Sequence, residues 1–390
     1  MSLFAEFHLI QSFAPSNLNR DDTGAPKDAV FGGYRRARVS SQCFKRSVRL
    51  HVGERGLLAP SALGVRTKKL KQLLVAALAE KGRTGAEGRI ANAPQAAGLA
   101  LDEDGATQYL LFLGNGEVKA LASLIDTHWD TLEPAAAVEG AKRTKKQAKA
   151  DAPDEVKKAV KKLLDGGKAV DVALFGRMLA DLPEANQHAA SQVAHAISTH
   201  RVEREFDYFT AVDDEGGADE TGAGMIGHVE FNAATFYRYA VVDVQKLATN
   251  LQGDNALALQ GLLAFAEGLA RALPTGKQNS FAAHNPPSFI GVVLRHGSPL
   301  NLANAFERPV APKPQQPLTE LSVGALASYE QQLAAFYGDG RDRWGVLDLT
   351  RAWPAGLGEH HASLAALLQW LRDQVQPVLP AAAPAEPAEA

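Results

Sequence analysis

The chain has 390 residues, 46% of them apolar, with 41 basic and 44 acidic side chains and a formal charge of −3 at pH 7. That balance suits a globular protein with a full core, built as one large domain with insertions or as two, and it excludes a uniformly basic surface, so any polyanion site must be a local patch. The lone cysteine, Cys43, excludes an internal disulfide or multi-cysteine zinc site and fits a reducing compartment.

The opening MSLFAEFHLI has no basic leader and carries Glu6 early, against a secretory signal. The longest apolar stretch, 256–273, is broken by Gln260, Glu267 and Arg271, so it does not span a bilayer. The expected setting is the cytoplasm, with no membrane partner.

Residues 3–13 read as a central strand. Residues 15–26, rich in Asn, Asp, Gly and Pro, read as a loop containing Arg20 and the adjacent acids Asp21 and Asp22. Two neighbouring carboxylates are candidate metal ligands, but a hard cation needs several converging oxygens. A turn-forming, Arg-paired role is therefore favoured, and no metal or cofactor is expected. From Lys27 to Arg49 seven basic residues face one acid, Asp28. Gly32-Gly33 suits a tight turn or a close backbone approach. Residues 34–40 alternate as a short strand with Val39 inward, and Ser40, Ser41 and Gln42 supply N-cap chemistry for a helix to about His51. On that helix Lys45, Arg46 and Arg49 share a side, at spacings of three and four, while Phe44 and Val48 face the core. A basic strand, a turn and a capped basic helix in one piece point to a nucleic-acid backbone; a solvated basic helix is the alternative.

Residues 60–181 read as mainly helical. Leu70, Leu73, Leu74 and Leu78 form one stripe, 109–113 is a short apolar run, and 121–132 is another helix. The Ala- and Lys-rich segment 133–154 is expected to be mobile. Lys157, Lys158, Lys161 and Lys162 fall on a helix from about residue 153 to the glycines at 166–167, a face that is either solvated or in contact with duplex phosphates. Residues 170–178 look strand-like, ending in Gly176-Arg177-Met178, where Met178 reads as a core filler. Two β-like arms around an acidic, Gly-rich tip at 213–227 describe a hairpin. Phe209 and Thr210 at its base suit wedging against an unpaired base, or else Phe209 belongs to the core. Residues 247–273 read as helical, and Lys277, Gln278 and Asn279 form a turn fit for a phosphate or 2′-hydroxyl. That turn lacks the upstream glycine of a nucleotide-hydrolysing loop. A strand at 289–294, helices at 329–336 and 362–375, and a disordered Pro/Ala/Glu tail complete the chain. Histidines 195, 200, 360 and 361 have no motif partners, so no catalytic site is expected.

The string SFAPSNLNRDDTGAPKDAVFGGYRRARVSSQCFKRSVR resembles the start of the backbone subunit of the type I-E CRISPR surveillance complex, Cascade. The likeness continues in DVALFGRM, AHAISTHRVEREFDYFTAVDD, FNAATFYRYAVVD, TGKQNSFAAHNPP and PLNLANAFERPV, in the family's order to about residue 310. The resemblance implies an α+β fold with a ferredoxin-like, RRM-like palm (1–59 and 231–376, connected through 182–192), helical fingers (60–181), a β-hairpin thumb (193–230) and a disordered tail (377–390). It implies a non-enzymatic subunit that binds CRISPR guide RNA, assembles head-to-tail with other copies and other Cascade subunits, and presents the guide to a target DNA strand. Its RNA contacts would be Arg20, Lys27, Ser40, Gln42, Lys45, Arg46, Arg49, Lys277, Gln278 and Asn279, with Met178, Phe209 and Thr210 displacing a nucleotide at intervals. Lys157, Lys158, Lys161 and Lys162 would hold DNA. The rival expectations are a metal-dependent RNA-cleaving relative using Asp21 and Asp22, and a stand-alone RNA chaperone.

Overall fold

The computed structural model describes residues 2–85, 90, 106–132, 154–164, 167–179, 182–211, 225–338 and 340–379. In chain order the strands are β1 (Leu3–Ser16), β2 (Asp28–Phe31), β3 (Tyr34–Val39), β4 (Gly64–Thr67), β5 (Leu111–Gly114), β6 (Ser191–Val193), β7 (Ala196–Ser198), β8 (Glu205–Ala211), β9 (Met225–Asp243), β10 (Phe289–His296), β11 (Arg343–Asp348) and β12 (Glu359–His360). The helices are α1 (Ser41–Glu54), α2 (Leu70–Ala79), α3 (Asn115–Thr127), α4 (Asp154–Leu163), α5 (Val170–Phe175), α6 (Val244–Asn250), α7 (Asn255–Arg271), α8 (Gln278–Phe281), α9 (Leu318–Tyr337) and α10 (Leu364–Val375). The chain divides into two units, one of 1–52, 192–243 and 263–375, the other of 53–191, 244–262 and 376–390. Among the described residues no helix is long and apolar enough to cross a membrane.

The first unit is built on a mostly antiparallel sheet in the order β12-β11-β10-β1-β9-β7-β3-β2, with β6 and β8 also paired to β9. β1 is central, antiparallel to β10 and β9 on its two sides. It can be central because it is buried on both faces and period-two alternation sends its side chains to two cores; on the Ile10 face the buried Glu6 is paired with Arg295 and the buried His8 contacts the Tyr237 hydroxyl. Phe13 joins Val39, Ala196, Phe236 and the α1 residue Phe44 in one core. Ile10 joins Tyr237, Tyr239, Phe289, Trp344 and the α9 residues Val323 and Leu326 in the other. Each such large side chain contributes about 1.5–3 kcal/mol when fully buried. β9 serves two structures. Its later half lies in the sheet beside β1, while its first residues pair with β8 alone, from Glu205↔Phe231 to Ala211↔Met225.

In the second unit, β4 and β5 form a two-stranded sheet, and Leu70, Leu74, Leu78, Leu121, Ile125 and Val160 fill a core between α2, α3 and α4. The leucine stripe read from the sequence is thus the buried face of α2. The strand-like reading of 170–178 is wrong: α5 occupies Val170–Phe175. A short run buried all round carries no usable period, and local chemistry decides for helix. Asp171 Oδ1 accepts from Val172 N and from Gly64 N, and Gly176, at φ 76°, ends the helix with its N–H on Val172 O.

Arg177 then turns inward, 5% exposed, donating to Glu117 at 2.8 Å and to the carbonyls of Leu164 and Ala185. The helix read over 247–273 is two helices, separated where Gly253 adopts φ 78° and Asp254 accepts from Leu257 N. The late helix begins at Leu318 behind Pro317, well before residue 329. The helix read over 121–132 spans Asn115–Thr127, and His360 pairs in β12. The segment at 133–153, the hairpin tip at 212–224 and the tail from 380 lie outside the described residues.

Replacing Arg177 by Leu leaves Glu117 charged and buried. The expected loss is about 3–5 kcal/mol in urea unfolding, and adding Glu117→Leu should recover most of it. A double variant no more stable than the single one contradicts this account of the pair.

Candidate nucleic-acid interface

The loop between β1 and β2 is shaped by its short polar side chains. Asp21 Oδ1 accepts from Thr23 N, Thr23 Oγ1 and Ala25 N at 3.0, 2.7 and 3.0 Å, an Asx-type turn. The Thr23 hydrogen bond, above the other causes, holds the Asp21 carboxyl below its usual range. Asn17 Nδ2 donates to Gly24 O and Glu230 O, both at 2.9 Å. Asn19 Oδ1 accepts from Ser40 N at 2.9 Å, and Asn19 O accepts from Lys27 N. The loop is thereby tied to the start of α1, with Arg20 exposed between these anchors. Asp21 has the turn-forming role read from the sequence. Among the described residues no cluster of three His, Cys, Asp or Glu side chains is arranged to hold a metal ion.

Ser40 Oγ caps α1 by accepting from Cys43 N at 3.3 Å. Phe44, Val48 and Val52 are buried, while Gln42 and Arg46 are exposed. A third segment closes on the loop. Gly276 lies so near the Leu18 and Asn17 carbonyls that a Cβ there would overlap them. Arg20, Arg46, Cys43, Ser47 and Thr275 then line one cleft of about 320 Å3 within the first unit. Lys277 follows directly in a left-handed conformation at φ 51°. The 17–25 loop and α1, near one another in sequence, thus meet the distant turn at 275–276, bringing Arg20 and Arg46 to one cavity.

Further cations gather beside it. Arg38 Nη1 contacts His195 Nδ1 at 3.1 Å. Burial, then Arg38, Lys27 and Lys45, push the His195 imidazole below its ordinary value. Burial raises the Cys43 thiol against the opposing effect of Arg46 and Lys27. Lys27, Lys45 and Arg46 therefore share one positive neighbourhood. The sequence did not single out His195 as part of it, and its signal was weak: a lone histidine whose partner lies 157 residues away.

The other arginines of the basic stretch do different work. Arg36 is fully buried, donating to Ser198 O at 2.9 Å and Phe306 O at 2.7 Å. Gly32 and Gly33, at φ 60° and 82°, make the hairpin turn, and a Cβ on Gly32 would overlap the Glu307 carbonyl. Arg35 pairs with Asp28, which also holds Arg204. Ser40 is 6% exposed, and its hydroxyl is the helix cap. The Gln278 amide staples its own turn, donating to Pro274 O and Ala283 O, while Asn279 is exposed. Lys45 and Arg49 are half-buried.

The β8–β9 arm leaves the sheet beside this cleft, fixed at its base by Arg204 between Asp28 and Glu230. Phe209 is 40% exposed and lies over its cross-strand partner Gly227, so the core reading of Phe209 is wrong; Thr210 is exposed as well. In the second unit Met178 is 83% exposed, which overturns its reading as a core filler. The inward turn of Arg177 sends the next side chain out. Lys157, Lys158, Lys161 and Lys162 lie on α4, where Lys158 and Lys162 are exposed.

A mixed α/β fold with a large, mostly antiparallel sheet and a cationic cleft at the end of β1 defines the class of protein. Residues 5–370 match the CT1975-like protein family, and the chain belongs to it. A chain of a solved "CRISPR RNA-guided surveillance complex, pre-nicking" is similar at 31% identity and a TM-score of 0.82, with 96% of this chain and 100% of that one covered. A chain of a "CRISPR RNA-guided surveillance complex" is similar at 28% identity and a TM-score of 0.69, covering 95% and 99%. Comparison with curated proteins gives no match.

Gly276→Ala is expected to push the 275–276 turn off the loop at Leu18, costing about 1–3 kcal/mol. Thermal unfolding checks this; an unchanged midpoint contradicts the close approach.

Proposed function

We propose that the chain is the guide-RNA-binding backbone subunit of a type I-E Cascade complex, polymerising head-to-tail along the guide and presenting it to a target DNA strand in antiviral defence. The observation that carries this reading is the cleft in which Arg20 and Arg46, from different segments, line one cavity beside Lys27, Lys45 and the Lys277 turn. Such a cavity suits phosphates, which need cations and backbone N–H groups but no base-reading side chains. The similar chains from RNA-guided complexes support the same partner.

In this reading the first unit supplies a ferredoxin-like palm and, as thumb, the β8–β9 arm, while 60–181 supplies the fingers. The role is positional, in the cytoplasm, and breaks no bond. Lys27, Lys45, Arg46, Arg49 and Arg20 neutralise the backbone, with Gln42, Lys277 and Asn279 at its edge. Phe209, Thr210 and Met178 are hydrophobic or small wedges that interrupt stacking, leaving short segments free for Watson–Crick pairing. Lys157, Lys158, Lys161 and Lys162 are suited to hold the DNA backbone. Asp21 is already engaged by Thr23 and Ala25, so the RNA-cleaving alternative gains no support from the loop.

Arg20→Ala with Arg46→Ala should weaken guide-length RNA binding and lower the log–log salt slope by about 1.4, since each lost contact to single-stranded RNA removes about 0.7. The melting temperature should not change. Unaltered RNA retention rejects the site. A second consequence concerns His195. Burial and, after it, Arg38, Lys27 and Lys45 hold its pKa down; a bound polyanion offsets the three cations, so its pKa should be higher in the complex than in the free chain. Affinity is then greatest below the free-state pKa and falls as pH rises through that of the complex. An NMR titration of the imidazole with and without RNA reads this directly; equal values contradict it.

A further inference from the structure

Arg238 lies in the middle of β9, 4% exposed, on the face of the sheet that carries α1. Its guanidinium carbon is 4.0 Å from the centre of the Phe44 ring. Nη1 donates to Gln11 Oε1 at 2.6 Å, while the buried Nη2 has no hydrogen-bond partner among the described residues. The other buried arginines are compensated differently: Arg177 by Glu117, Arg295 by Glu6 and Glu330, and Arg36 by a set of carbonyls. Arg238 has a neutral amide and a ring face, and burial alone pushes it down to about 9. A buried cation in that state costs stability that a methionine or leucine of similar length would not.

Its contacts lead to two walls of the cleft. Phe44 precedes Lys45 and Arg46 on α1, so the guanidinium braces the cationic helix from beneath. Gln11 passes the contact on, donating Nε2 to Asn285 O at 2.6 Å, and Asn285 Oδ1 accepts from Ala14 N. That segment follows α8 and the Thr275–Gly276 wall. Resting on the reading of the cleft as an RNA site, we propose that Arg238 is a positioning residue for RNA binding: it holds α1 and the segment after α8 in register and adds beneath α1 a positive charge that the bound polyanion offsets. An uncompensated charge in a poorly polarisable interior acts over a longer range than one at the surface.

The test compares Arg238→Met, Arg238→Lys, the Arg20→Ala/Arg46→Ala pair and the wild-type chain in salt-dependent binding of one guide-length RNA, with thermal melts of each. Arg238→Met should melt no lower than wild type, yet bind about tenfold more weakly with an unchanged salt slope, because Arg238 touches no phosphate. Arg238→Lys, which keeps the charge, should bind within about threefold of wild type. Wild-type affinity in Arg238→Met overturns the proposal, as does a slope reduced like that of the surface pair. If Arg238→Met does not fold, Arg238→Gln, which also removes the charge, takes its place: folded and about tenfold weaker upholds the proposal, wild-type affinity overturns it. A wild-type chain that binds no RNA overturns the function reading, and this inference with it.

Discussion

The interface depends on a close backbone contact, Gly276 against the carbonyls of Asn17 and Leu18. Nothing larger than hydrogen fits there, and the contact makes a cleft out of two loops and a helix. Asn17 and Asn19 hold the same loop from its other side, through Glu230 O and Ser40 N. Arg20 is therefore presented by a stiff turn, at a fixed place relative to Arg46. Pre-set cations bind a flexible strand better than mobile ones, because less side-chain freedom is lost on contact.

Electrostatics sort the basic residues into classes that composition cannot distinguish. Some are neutralised at home, such as Arg35 and Arg204 by Asp28. Some are interior struts, such as Arg36 and Arg177, whose forked donors match carbonyls or a carboxylate. Others, Arg38, Lys27, Lys45 and Arg46, gather around His195 and Cys43 beside a cleft whose lining also includes Asp21. The last class is the informative one, since like charges gathered at a surface cavity favour a polyanion there. The slight net acidity of the chain is compatible with this, because screening confines each charge to within about 10 Å at ordinary salt.

Much of this was legible from the sequence, where local rules apply. β1, the Ser40 cap, the inward Phe44 and Val48, and the leucine stripe of α2 all follow from period and cap chemistry. Arg20, Lys27, Lys45 and Arg46 fell in one short segment, and their common neighbourhood could be anticipated. What failed was non-local. The helix at Val170–Phe175 is buried on all sides, so its pattern carries no period. Arg36 looked like part of a basic surface because its acceptors lie 162 and 270 residues away. Met178 and Phe209 looked like core because both are apolar. One is turned out by its buried neighbour Arg177, and the other lies on a strand whose cross-strand partner is a glycine.

The central claim is that an RNA backbone lies in the cleft between the loop at 17–27, α1 and the turn at 274–281. Ultraviolet cross-linking of the chain to a uniform short RNA, followed by peptide mass spectrometry, tests it most directly. The account predicts cross-links concentrated in those three segments and at Phe209 of the arm. Cross-links confined to other surfaces, with these segments unlabelled, would contradict it.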